Sequence, residues 1–385
     1  MRAGRYVQQH SGYRAFIPAP LPPAPGVRLD GELTALLSEA DRALGRLDGV
    51  SSILPNPDLF VAMYVRYEAV LSSQIEGTQS TLEDVLEFEM DAAGARRVKD
   101  AEEVVNYVQA MNYGLERLPS LPLSLRLLRE IHERLMRGVR GSERNPGDFR
   151  TSQNWIGPEG CTLASATFVP PPPYEMLEAL ANLETFLHQP GNLPALIHCG
   201  LAHAQFETIH PFLDGNGRVG RLLITLLLCE RRILERPLLY LSVYLKQHRA
   251  EYYDRLTAIR SDGDWEGWLR FFLRGVAEVS VSSTATARAI LKLREDSRQL
   301  LAQSAQAVRL LDFLFAKPVT SVRATEEYLG CSYVTASSVI EQLVDVGLLR
   351  EMTGQKRNRL YRYEPYLALF EGQGIETARA ESRSG

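Results

Sequence analysis

The run His210-Pro211-Phe212-Leu213-Asp214-Gly215-Asn216-Gly217-Arg218-Val219-Gly220-Arg221 constrains this chain more than any other stretch. Pro211 and the Gly-Asn-Gly segment predict a loop. The apolar residues Leu222 to Cys229, with Leu222, Leu223, Leu226 and Leu227 at helical spacing, predict a buried helix directly behind it. Asn216 is suited to cap that helix. A loop opening into a helix N-terminus is an anion site, because free backbone N–H groups and the positive end of the helix dipole face the same space. Gly215 and Gly217 let the backbone approach a ligand closely, and Arg218 and Arg221 share one face of the first turn, where they can fork onto phosphate oxygens. Asp214 offers a hard oxygen ligand for magnesium, and His210 can take a proton from an attacking hydroxyl. Base, metal ligand, anion nest and arginine clamp together point to phosphoryl or nucleotidyl transfer.

The same stretch resembles, at every fixed position, the signature of the Fic family (filamentation induced by cAMP), His-Pro-Phe-x-Asp/Glu-Gly-Asn-Gly-Arg-x-x-Arg. Fic proteins are mostly helical enzymes that transfer AMP from ATP to a hydroxyl side chain of a target protein. The resemblance implies His210 as general base, Asp214 as ligand of magnesium (manganese could replace it), and Gly215, Asn216, Gly217, Arg218 and Arg221 as binders of the ATP phosphates. Relatives that transfer other phosphate-containing groups, or that remove AMP, share the motif. The intact Asp214 and Gly-Asn-Gly favour AMP transfer.

A second signal is Ser72-Ser73-Gln74-Ile75-Glu76-Gly77. Asn56-Pro57 predicts a helix start, the helix is expected to run over about 57–76, and Gly77 suits a left-handed C-terminal cap. A glutamate at a helix C-terminus opposes the dipole, so something else should hold Glu76. Ser72 to Gly77 resembles the inhibitory pattern of many Fic proteins, Ser/Thr-x-x-x-Glu-Gly/Asn, which implies that Glu76 pairs with Arg221 and competes with the terminal phosphate of ATP. A further helix is expected to restart at Ser80, with Glu83 completing a capping box.

Elsewhere, residues 1–28 carry Pro18, Pro20, Pro22, Pro23 and Pro25 and read as an extended arm lying on the surface. Residues 162–169 have strand-like content, and the resemblance implies a β-hairpin flap there that holds the target protein by main-chain pairing. His198 and His203 are expected to be packed helical histidines, and Trp265, Trp268, Phe271 and Phe272 core. Tyr240, Tyr244, Tyr252 and Tyr253 stand where the resemblance implies contact with the nucleotide base. Residues 282–300 read as a polar connector. Helices at 306–315, 324–329 and 335–343, then strands at 348–353 and 360–363 around a basic tip, predict a winged helix-turn-helix. Residues 301–370 hold eight Lys/Arg against seven Asp/Glu, a weak footprint for a duplex binder, so DNA contact and a protein-contact or homodimer role both stay open.

Four scattered cysteines and no Cys-x-x-Cys pair argue against a zinc site and a disulfide scaffold, and a net charge of -4 gives no general pull toward nucleic acid. The N-terminal residues lack the apolar core of a signal peptide, and the longest apolar runs, around 222–229 and 238–245, are too short for a membrane span. A cytoplasmic protein is expected. The expected fold is mainly α: an N-terminal arm and inhibitory region (1–110), a Fic-type helical core with a short β flap (111–290), a winged helix-turn-helix (291–372) and a disordered tail (373–385). The expected function is an autoinhibited protein adenylyltransferase; the rival is a transcriptional regulator whose Fic domain senses nucleotide.

Overall fold

The computed structural model describes residues 2–10, 12–51, 57–90, 100–158, 160–355 and 357–371; Asn56, Lys356 and the tail at 373–385 lie outside them. The chain opens with a hairpin, β1 (Gly4–Gln8) against β2 (Arg14–Pro18), with Tyr6 opposite Phe16. The expectation of an extended arm over 1–28 is therefore corrected for its first part. The prolines begin only at Pro18, and before them Ala15 and Phe16 are apolar and fully buried. Burial of that pair is what closes the hairpin onto the body.

Helices follow in order: α1 (Gly31–Ser51), α2 (Pro57–Ile75), α3 (Leu82–Met90), α4 (Ala101–Arg117), α5 (Leu125–Leu135), α6 (Pro173–His188), α7 (Ala195–Ile209), α8 (Asn216–Glu230), α9 (Ser242–Gln247), α10 (Arg249–Asp262) and α11 (Trp265–Leu300). Pro57 opens α2 and α2 ends at Ile75, where the sequence puts both limits. The capping box expected at Ser80 and Glu83 lies one residue on. Thr81 donates its hydroxyl to Asp84 at 2.8 Å and accepts from the Asp84 N–H at 3.1 Å, while Glu83 reaches out to Arg362 at 2.7 Å. The expected connector over 282–300 is also corrected. It is the second half of α11, continuous from Trp265, because Ser283, Thr284, Thr286, Ala287 and Ile290 give it a buried face. Helix α1 packs along α11, and Arg270 and Arg274 hold Glu32 at 2.8 and 3.0 Å.

The C-terminal part comprises α12 (Ala305–Ala316), β3 (Val319–Ser321), α13 (Val322–Leu329), α14 (Tyr333–Asp345), β4 (Leu349–Glu351), β5 (Leu360–Tyr363) and α15 (Glu364–Glu371). Its antiparallel sheet has the order β3-β5-β4, which does not conflict with the winged helix expected from the sequence, and α15 follows the last strand. Side-chain caps from Ser304, Ser321 and Ser332 start α12, α13 and α14. This part does not stand apart: α12 packs on α2, and Phe370 of α15 sits against Tyr64 and Tyr67 of α2 with ring centroids 5.5 and 5.7 Å apart. Among the described residues no helix is long and apolar enough to cross a membrane.

Phe370 is fully buried in this contact. Phe370→Ala should cost about 3–5 kcal/mol, read as a lower denaturant midpoint; an unchanged midpoint would show that α15 contributes nothing to holding α2.

Candidate functional site

Helix α7 is buried on every side from Leu196 to Ile209, so its C-terminal end is held rigidly where it delivers His210. His210 caps α7 in the left-handed region, with φ 50° and ψ 61°. Few non-glycine residues occupy this region, and such a conformation persists only where the surroundings impose it. Here they do. Arg150, buried, donates from its backbone N–H to the Pro211 carbonyl at 2.9 Å and from Nε to the His210 carbonyl at 2.9 Å. Asn154 Nδ2 donates to the carbonyls of His210 and Phe212 at 3.2 and 2.9 Å.

The expected cap at Asn216 is corrected. Gly215, at φ 73°, is the residue before α8, and Asn216 is its first helical residue. The Asn216 side chain folds back instead, accepting from the Phe212 N–H and donating to the Phe212 carbonyl, both at 2.8 Å. Closing the loop from Phe212 to Asn216 on both the N–H and the carbonyl of Phe212 needs both functions of an amide, which a simple cap acceptor lacks. His132 supports the loop from below. Its Nδ1 accepts from the Gly147 N–H at 2.8 Å, so Nε2 carries the proton and donates to the Asp214 carbonyl at 3.1 Å, while the ring stacks on Phe212 at 3.8 Å.

The two arginines of the first turn are both buried and both paired. Arg221 Nη2 reaches Glu76 Oε1 at 2.6 Å and the Ser72 carbonyl at 3.0 Å, and Nε donates to the Ser72 hydroxyl at 2.8 Å. Burial opposes ionisation of Glu76, but the Arg221 guanidinium outweighs it and holds the carboxyl below its ordinary value. Gly77 follows at φ 98°, a turn that aims Glu76 back at α8. Gly217 is required for a second reason: a Cβ there would lie 2.2 Å from Glu76 Oε1. Arg218 Nη1 pairs with Glu103 Oε2 of α4 at 3.2 Å, and its Nε is buried without a partner. His210 Nδ1 is likewise buried and unpartnered. Orphaned polar atoms in one place mark a site that a ligand completes.

Asp214 is about a third exposed; its Oδ1 accepts from the Gly215 N–H at 2.6 Å and its Oδ2 lies 3.5 Å from Arg144. No group of three metal-binding side chains occurs among the described residues. A single carboxylate facing the phosphate nest fits magnesium, which is commonly held by one or two carboxylates together with phosphate oxygens.

Burial, reinforced by the Arg150 charge, pulls the His210 imidazole down to about 4, so it is neutral and able to accept a proton at physiological pH. His203 is lowered to about 4 by burial, donating from Nδ1 to the Gly220 carbonyl at 2.8 Å and accepting from the Tyr252 hydroxyl at 2.9 Å. His198 is packed, bonding the Phe186 carbonyl at 2.9 Å. Of the four tyrosines, Tyr252 and Tyr253 lie close enough to Glu76 and Arg221 to feel their charge, and the Tyr253 ring is partly exposed. Tyr240 and Tyr244 are core instead: Tyr240 packs between Tyr64 and Tyr67, and Tyr244 on Phe271. Trp265, Trp268, Phe271 and Phe272 are core.

The strand expected at 162–169 is corrected. Residues 162–165 form a turn, in which the Thr162 N–H bonds the Ser165 hydroxyl at 3.0 Å, and pairing is reduced to one bridge between Ile156 and Phe168. Local serine and threonine turn chemistry has overridden their strand preference. Arg150, Asn154, His132, His203 and Glu103 escaped the sequence analysis as members of this site. None has a local signal, since each reaches the motif from another element.

The His210 ring should stay neutral down to about pH 5 and titrate near 4 when followed by NMR of labelled imidazole. A midpoint at the ordinary histidine value would mean the ring is solvated rather than buried.

Residues 34–116 match the family model described as Fic/DOC family N-terminal, and residues 122–228 match that of the Fic/DOC family. Among curated relatives, the protein adenylyltransferase Fic of Drosophila grimshawi is 31% identical over 204 residues, covering 51% of this chain and 38% of the relative. Its namesake in Aedes aegypti is 32% identical over 210 residues, covering 51% and 37%. The match thus spans well under half the length of these relatives. A crystal structure of a Fic family protein from Desulfovibrio desulfuricans aligns with a TM-score of 0.55 at 20% identity over 88% of this chain and 97% of that one. A Fic domain containing signaling protein from Bacteroides thetaiotaomicron aligns at 0.50 and 18% over 67% and 95%. Two adjoining domain matches, a motif complete at every fixed position and a shared fold make this chain a member of the Fic/DOC family.

Proposed function

We propose that this protein transfers AMP from ATP to a serine, threonine or tyrosine hydroxyl of a target protein or of itself, and that Glu76 restrains the reaction. The observation that carries the reading is the 2.6 Å contact between Glu76 and Arg221 in the first turn of α8, next to the loop bearing His210. A nest built for phosphates is there occupied by a carboxylate from another helix. The relatives' name, protein adenylyltransferase, supports the same chemistry.

In this reading the triphosphate lies over the N-terminus of α8, contacted by the N–H groups of Gly215, Asn216 and Gly217 and by Arg218 and Arg221. The target hydroxyl attacks the α-phosphorus in line, its proton passes to His210, and the bond to the β-phosphate oxygen breaks to release pyrophosphate. Magnesium, held by Asp214 and phosphate oxygens, supplies neutralisation of phosphate charge when bound. Arg218 keeps its geometry through Glu103, and Arg221 is free to take the terminal phosphate only once Glu76 withdraws. In this reading Tyr253, whose ring is partly exposed, meets the base, with the fully buried Tyr252 packed behind it at 5.1 Å, and the segment around Phe168 receives the target chain.

The test compares wild type, Glu76→Gly and Glu76→Gly/His210→Ala with ATP labelled at the α- or γ-phosphate. Protein should gain α-label strongly in Glu76→Gly and weakly in wild type, and the double variant should lose about 10²–10⁴-fold. Equal rates in wild type and Glu76→Gly would remove the restraint, and label from the γ-phosphate would make the protein a kinase.

A further inference from the structure

One buried guanidinium outside the family signature joins three segments of chain. Arg150 stands at the head of the irregular stretch that carries the Ile156–Phe168 bridge, and its Nη1 donates to the Ser152 carbonyl at 3.2 Å, at the start of that stretch. Its Nη2 donates to the Pro171 carbonyl at 2.5 Å, at the far end of the same stretch, and reaches the Ile209 carbonyl at 3.4 Å. Its Nε and backbone N–H hold the carbonyls of His210 and Pro211, each at 2.9 Å. No carboxylate pairs with it among the described residues; its charge is met by carbonyl dipoles alone, and its side chain is almost wholly buried.

That arrangement is costly as plain architecture. A desolvated cation without a counter-ion is among the least favourable groups to bury, and a packed apolar residue would hold two loops together at lower cost. Only a planar fork with five donors can bind carbonyls from both roots of the flap and from the loop after α7 at once. The neighbouring contacts serve the same end. Gln153 Nε2 donates to the Pro170 carbonyl at 2.9 Å, crossing the flap roots, and β2 supports them through the Phe16 N–H on the Val169 carbonyl at 2.9 Å.

We propose that Arg150 is a positioning residue, fixing the flap roots to the loop bearing His210 so that a segment held on the flap and the base keep one separation. This rests on the reading of the site as an AMP transferase with His210 as base. The carbonyl clamp also holds His210 in its left-handed conformation. Misplacement of reacting groups by about 1 Å can cost about 10²-fold in rate.

Arg150→Lys and Arg150→Gln are introduced into full-length Glu76→Gly protein. Arg150→Lys keeps the charge and part of the donor set, whereas Arg150→Gln removes the charge and keeps an amide donor; the first carries the test alone if the second loses its fold. In Arg150→Lys, kcat for AMP transfer should fall about 10²-fold while KM for ATP and the melting temperature change little. The acid limb of the rate profile should move to higher pH in Arg150→Gln, since of the charges near His210 (Arg150, Arg260 and Glu76, the last removed in this background) Arg150 is the largest one lowering its pKa. Amide exchange at Ile156 and Phe168 should accelerate in both variants. Full kcat with unchanged exchange in Arg150→Lys would overturn the assignment, as would a fall in kcat matched by an equal loss of ATP affinity and melting temperature. If the Glu76→Gly parent shows no transfer at all, the functional reading fails. The exchange rates and the His210 titration by NMR then still decide whether Arg150 couples flap and loop.

Discussion

Two guanidinium groups buried at the positive end of a helix are the constraint on which this structure depends. Arg218 and Arg221 sit in the first turn of α8, where the dipole already repels cations and water is excluded. A pair so placed requires counter-charge, and the fold supplies it from two different helices, Glu103 of α4 and Glu76 just beyond α2. The N-terminal helices are therefore an electrostatic part of the site rather than a shell around it. An anion with several charges would meet the same demand as the Glu76 carboxylate that the structure places on Arg221.

The helix that carries Glu76 is held at three levels. Near its end, Ser72 and Glu76 engage Arg221. One turn earlier Glu68, buried and raised by that burial to about 7, accepts from the Ser242 N–H at 3.0 Å and ties α2 to the start of α9. Earlier still, Tyr64 and Tyr67 pack on Phe370 at the end of the described chain. The C-terminal part also grips α3 through Arg362 and Glu83 at 2.7 Å. Whatever loosens these contacts acts on the same helix that sets the state of Arg221.

The helix-forming pattern was readable because it is local. The limits of α2, the buried run after Arg221 and the aromatic stripe at Trp265 to Phe272 follow from spacing that a single helix enforces. What failed failed for equally physical reasons. Residues 282–300 look polar in isolation, yet packing against neighbouring elements keeps them helical as part of α11. Residues 162–169 have strand-like side chains, yet short side-chain hydrogen bonds turn the chain before a strand can pair. The prolines at 18–25 say nothing about the hairpin ahead of them.

The sequence by itself determined the nest: the order of His210, Asp214, the glycines and both arginines makes a loop and a helix N-terminus with donors and positive charge close together, the arrangement that suits an anion. It also placed Glu76 at a helix end that would not stabilise it. Only the tertiary structure decided which carboxylate reaches which arginine, across separations of 145 residues for Glu76 and 115 for Glu103. It alone assigned Arg150 and His132 to the loop and withdrew Tyr240 and Tyr244 into the core. Contacts at such distances are set by how helices pack, and packing depends on every apolar face together rather than on any one stretch.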